Sequence, residues 1–114
     1  MNKSPAISTL EYHVLLSLAA VPKHGYAIKE AVETESAGTL TPPAGSLYRV
    51  IARLVTRGWV VETDPEEVVL HPGLARRYYA LTSDGRAALA NEAQRLRDVG
   101  TLAARRLSAT KGPA

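Results

Sequence analysis

A mainly α-helical fold with one small β-hairpin and a long C-terminal helix is what this sequence predicts. Three observations carry that expectation. Apolar residues recur at helical spacing in four separate stretches, a β-branched and aromatic run follows the third of them, and Gly or Pro stands at most of the junctions. The chain has 114 residues, the size of one domain around one core. It has no Phe and a single Trp, so Leu, Val, Ile, Ala and Tyr must fill that core.

Ser8 and Glu11 have the S-x-x-E spacing of a capping box, and Leu10, Val14, Leu15 and Leu18 follow at helical intervals. A first helix is therefore expected over residues 9–20, ended by Pro22. Ala27, Ile28, Ala31 and Val32 form one apolar stripe of a short second helix, closed by Gly38. Thr41 is the expected N-cap of a third helix, with Pro42 at its first position, where a missing N–H costs nothing; Gly58 stops it. Leu47, Val50, Ile51 and Leu54 give this helix the cleanest amphipathic pattern in the chain. Residues 59–63 and 76–81 suit two strands, and the Pro- and Gly-containing stretch 65–75 between them suits an extended hairpin tip. Tyr78 and Tyr79 must point to opposite faces of their strand, one inward and one exposed. Thr82 is placed to cap the last helix, expected over residues 83–107, before a flexible tail at 108–114.

Composition removes several classes of function. Without Cys there are no disulfides, thiolate metal sites or Cys nucleophile. The longest apolar run, 14–21, contains a Ser and is far below the roughly 20 residues of a membrane span. Residues 1–6 lack the apolar segment of a signal peptide, so a cytoplasmic protein with no membrane partner is expected. His13, His24 and His71 fall on three different elements, so no metal site is expected. Asp64, Glu66 and Glu67 read as a solvated acidic turn. No Ser-His-Asp set, P-loop or dinucleotide fingerprint can be assembled, so neither an enzyme nor a cofactor is expected. Lys and Arg exceed Asp and Glu by 14 to 11, an excess that permits a nucleic-acid partner without demanding one.

Three short helices, a hairpin and a further helix follow the order of a winged helix-turn-helix, whose third helix enters the DNA major groove. At about 100° per residue, Ser46, Arg49, Arg53 and Thr56 lie opposite the apolar stripe of helix three. Arginine can pair with guanine or with phosphate, and hydroxyls suit either role. The plain alternative is a solvated face with ordinary charges.

An ordered set of blocks covers nearly the whole chain: Leu10-Glu11-Tyr12 with Leu15 and Leu16, His24-Gly25-Tyr26-Ala27-Ile28, and Gly45-Ser46-Leu47-Tyr48-Arg49 with Arg53-Leu54. Arg57-Gly58-Trp59-Val60 and Arg77-Tyr78-Tyr79-Ala80-Leu81-Thr82-Ser83-Asp84-Gly85-Arg86 complete it. Taken together, these blocks resemble the PadR family of transcriptional regulators. The resemblance implies a dimeric repressor of nearby genes, and a two-fold dimer of this kind is expected to act on a palindromic double-stranded DNA operator. The DNA-binding residues expected are Tyr26, Thr41, Pro42, Ser46, Tyr48, Arg49, Arg53, Arg76 and Arg77. For Tyr26 and Tyr48 a second reading stands: a core side chain with only its tip wet. Where relatives carry a basic wing tip, this chain reads Pro72-Gly73-Leu74-Ala75-Arg76-Arg77, and nearby acids oppose phosphate.

Residues 1–82 then form the DNA-binding domain and 83–107 a dimerisation helix. That helix would be about 37 Å long, more than a three-helix core of this size can cover. Leu89, Ala93, Leu96, Gly100, Ala103 and Leu107 alternate steps of four and three, the spacing of a seam between helices in a homodimer. The alternatives are a winged-helix protein-interaction module, or a sensor of an unknown small-molecule inducer that does not itself read an operator. Residues 83–107 hold no aromatic side chain with which to stack a planar ligand.

Overall fold

The computed structural model describes residues 6–64 and 77–109, which form four helices and a small antiparallel sheet. Helix α1 spans Thr9–Ser17, strand β1 Lys23–His24, α2 Gly25–Glu35, α3 Ala44–Thr56, β2 Val60–Thr63, β3 Tyr78–Leu81 and α4 Ser83–Ala109. The hairpin expected from the sequence gains a third strand, giving the order β1-β3-β2 with Lys23 opposite Tyr79 and Val60 opposite Leu81. Two residues are too few to show alternation, which is why β1 leaves no trace in the pattern.

The capping box at α1 is present: the Glu11 amide donates to Ser8 Oγ at 3.1 Å and the Ser8 amide to Glu11 Oε1 at 2.9 Å. Helix α1 stops at Ser17, three residues short of the expected end, where Lys23 Nζ donates to the Ser17 carbonyl at 2.8 Å. A cation on a last-turn carbonyl also complements the helix dipole. Helix α2 ends at Glu35, and the Gly38 amide closes back onto the Glu33 carbonyl with Gly38 at φ +76°, the left-handed region glycine tolerates.

The start of α3 departs from expectation. Its N-cap is Pro43, without a side-chain cap, and the helix begins at Ala44 instead of Pro42. A residue preceding proline is pushed out of the helical region, so Pro42 cannot take the first helical position while Pro43 follows it.

One core joins all of this. Val14, Leu15 and Leu18 of the α1 segment meet Ile28 and Val32 of α2, the Leu47, Val50, Ile51 and Leu54 stripe of α3, Val60, Tyr79 and Leu89. Of the tyrosine pair, Tyr79 is the inward one, at 7% exposure, while Tyr78 packs its ring edge-on to His24. Helix α4 enters this core only at its N-terminal end. Thr82 Oγ1 accepts from the Gly85 amide at 3.0 Å and donates to the Gly58 carbonyl at 2.6 Å, tying the helix start to the α3–β2 turn. A Cβ on Gly85 would collide with the Trp59 carbonyl group, so only glycine fits there.

Candidate nucleic-acid interface

The N-terminal end of α2, the first half of α3 and strand β3 converge on one side of the domain. Tyr48 lies directly over Gly25, so closely that a Cβ at Gly25 would come within 2.6 Å of the Tyr48 ring. His24 caps α2 by accepting the Ala27 amide on Nδ1 at 3.2 Å, and its ring meets Tyr78 of β3. Sequence alone identified neither role for His24. An N-cap usually carries a hydroxyl or carboxylate, so imidazole gives no compositional signal.

Both Tyr26 and Tyr48 are exposed, at 63% and 48%, which sets aside the core reading for each. Arg49 is exposed and donates to Ser46 Oγ at 3.3 Å. Thr41 is exposed and Pro42 half-buried in the approach to α3. Arg77 stands at the start of β3, ion-paired with Glu62 of β2 at 3.3 Å, and both side chains are largely exposed. Arg76 and the hairpin tip at 65–75 lie outside the described residues, as do His71 and residues 110–114.

Arg53 behaves differently from Arg49. It was expected as a free outward cation one turn along the same face, yet its Nε donates to Glu11 Oε2 of α1 at 2.8 Å. Arg57 Nη1 lies 3.5 Å from the same oxygen, and its guanidinium sits over the Trp59 ring at 5.1 Å. Glu11 is only 3% exposed. Burial alone would raise its pKa; the Ser8 amide, the Arg53 hydrogen bond and the charges of Arg57 and Arg53 together hold it below the ordinary carboxylate value. The capping box was visible in the sequence. The second use of the same carboxylate was not, because it depends on a contact 42 residues away.

The expected α4 seam divides. Leu89 is buried in the domain's own core and Ala93 is half-buried, whereas Leu96, Gly100, Ala103 and Leu107 are exposed. Val99 and Leu102, not among the expected seam residues, are exposed as well, at 51% and 42%. Where α4 leaves the domain, a cavity of about 540 Å³ is lined by Ala6, Ile7, Trp59, Ala88, Asn91, Glu92 and Arg95. Glu92 and Arg95 are joined at its edge by two hydrogen bonds of 2.9 and 2.6 Å. Among the described residues no helix is long and apolar enough to cross a membrane.

Three helices followed by a paired β2 and β3 and a further helix make this a winged helix-turn-helix protein. The family model described as the transcriptional regulator PadR-like family matches residues 14–91, well over half the chain. The chain belongs to that family. Solved structures agree in fold. A PadR family transcription regulator from Clostridium difficile superposes with a TM-score of 0.72 at 19% identity, over 88% of this chain and 99% of that one. A PadR-like transcriptional regulator from Bacillus cereus gives 0.72 at 21%, over 91% and 93%. Bacillus subtilis PadR, solved in complex with operator DNA, gives 0.61 at 20%, over 74% of this chain and 46% of that one. No curated protein matches the chain.

Proposed function

We propose that this chain is a dimeric transcriptional repressor that lays the first half of α3 in the major groove of a palindromic operator. The observation that carries the reading is the α3 face of half-buried Ser46 and exposed Tyr48 and Arg49, beside the N-terminus of α2 and the exposed Tyr26. Recognition helices read bases with their N-terminal residues, and a helix N-terminus offers free N–H groups to phosphate. Arg49 is the candidate base reader; Tyr26, Thr41, Pro42, Arg76 and Arg77 are candidate backbone contacts. Bacillus subtilis PadR, of the same fold, is bound to operator DNA. The outward face of α3 is basic and not apolar, which favours DNA over a protein partner.

Dimerisation supplies the second half-site. The exposed Leu96, Gly100, Ala103 and Leu107 stripe suits the α4 of a second copy, and two recognition helices would then stand about one DNA turn apart, roughly 34 Å. The cavity beneath Trp59 is within the size range of small-molecule sites and supports an inducer as a further partner.

Selection of duplexes from a randomised pool, followed by mobility shift, tests the reading. A palindromic sequence should be enriched, Arg49→Ala should relax preference at one position of each half-site, and the log-log salt slope should be about −5 to −7. Failure to enrich any sequence, or binding with a nearly flat salt dependence, would overturn it.

A further inference from the structure

Glu11 is the one acidic side chain buried among the described residues, and it is donated by α1 to two arginines of the α3 segment. Arg53 and Arg57 stand at i and i+4, a spacing at which like charges repel. The Glu11 carboxylate, reaching in from another helix, offsets that repulsion and ties the C-terminal end of α3 to α1. It meets the two cations unequally. Arg57 is three-quarters buried, with its guanidinium carbon 5.1 Å from the Trp59 ring centroid and Nη1 at the longer distance of 3.5 Å from the carboxylate. Arg53 has half its side chain exposed and is gripped by Nε alone. A guanidinium has five N–H donors in a rigid plane, so the four on its two Nη atoms have no partner among the described residues.

We propose that Glu11 is a positioning residue for DNA recognition: it holds the Arg53 guanidinium by its Nε edge and thereby presents the Nη donors to a phosphate at the C-terminal end of α3. The inference rests on the DNA-binding reading above and assigns Arg53 to the backbone, leaving Arg49 to the bases. A guanidinium fixed in advance loses less rotamer freedom when a phosphate arrives. Two guanidiniums against one carboxylate also leave the cluster with a surplus positive charge.

Charge and positioning predict opposite outcomes for Glu11→Gln, and this separates them. Removing a negative charge from each protomer should, by charge alone, tighten binding to DNA. If Glu11 positions Arg53, binding should weaken. The probe is the duplex most enriched by the wild-type protein from a randomised pool, with circular dichroism confirming that each variant is folded in the assay buffer. Glu11→Gln is expected to lower affinity on the order of tenfold in spite of its added positive charge. Arg53→Ala should lower affinity evenly across sequences and reduce the salt slope by about one per protomer. The double variant should bind no more weakly than Arg53→Ala, because both changes remove the same contact. Arg53→Lys should not restore binding, since an ammonium lacks the fork.

Binding by Glu11→Gln that matches or exceeds the wild type overturns the inference, as do additive losses in the double variant. Should Glu11→Gln not fold, Arg53→Ala decides by itself: an unchanged affinity and salt slope overturn the proposal. A wild type that binds no duplex overturns the DNA reading and this inference together. A binding wild type with an indifferent Arg53 overturns this inference alone.

Discussion

The two ends of α4 have the same helical backbone and opposite surroundings. Around its first turns, Gly85 is pressed against Trp59, Thr82 bonds the α3–β2 turn, Arg86 donates to the Ala19 carbonyl at 3.1 Å, and Leu89 is buried in the core. From residue 94 to 109 every residue is exposed, Leu96, Val99, Leu102 and Leu107 included. Helices in water draw most of their stability from a packed face, and isolated ones are marginal at this length. The first end is thus complete within one chain. The second carries an apolar stripe with nothing among the described residues to cover it, and the proposed homodimer gives it a partner.

The sharpest way to break the contrast is Gly85→Val. The added side chain meets the Trp59 backbone, which cannot move away as a flexible side chain would, so the docked end should lose roughly 3 kcal/mol or more. Thermal unfolding should show a Tm lower by on the order of 10 °C. An unchanged Tm would mean that the start of α4 is not docked as described.

Leu96→Lys addresses the other end. Leu96 is 42% exposed, so the domain should keep its fold while sedimentation shows a monomer, and operator affinity should fall on the order of 10²-fold with the loss of bivalent binding. A Leu96→Lys dimer would place the subunit contact elsewhere.

Acid should divide the two ends by a different route. The folded-state pKa of Glu11 lies below its unfolded value, so the stability from its ion pairs is fully present above the ordinary carboxylate range and is lost as pH falls through the lowered value. The exposed α4 stripe contains no acid. Denaturant titrations at falling pH should therefore weaken the docked domain, and Glu11→Gln should flatten that acid limb; a limb of unchanged steepness would assign it to other carboxylates.

Gly100→Ala has the smallest expected effect and the most informative sign. Nothing among the described residues lies within 4 Å of a Cβ at this position, so in a free helix Ala would stabilise by about 0.5–1 kcal/mol. At a close helix–helix seam the same methyl keeps the backbones apart, and the dimer should weaken roughly fivefold, about 1 kcal/mol. Equilibrium sedimentation reads the difference, and a tighter dimer would remove Gly100 from the seam.

What the sequence disclosed follows the range over which each feature is encoded. The α3 stripe, the capping box at Ser8 and the Thr82 cap are local patterns of three to seven residues, and all three are present. Strand β1 and the ion pairs of Glu11 depend on partners far along the chain, and no local pattern announces them. Expecting α3 to begin at Pro42 overlooked the second proline's effect on the first. Periodicity placed Leu89 with Leu96, since one stripe can serve two different partners in succession; burial separates them.

The attachment of α4 also makes it a mechanical arm. It is fixed by contacts that run from Thr82 to about residue 93, and the exposed stretch beyond them, 94–109, extends about 24 Å. Rocking that attachment by about 5° would swing the far end by about 2 Å, more than the rise of one residue. In the proposed homodimer, with two such arms joined at the seam, a slight change in how Trp59 seats against Gly85 would become a change in the separation of the two α3 helices. The cavity borders that attachment through Trp59 and Ala88, so a molecule lodged there would act where the leverage is greatest.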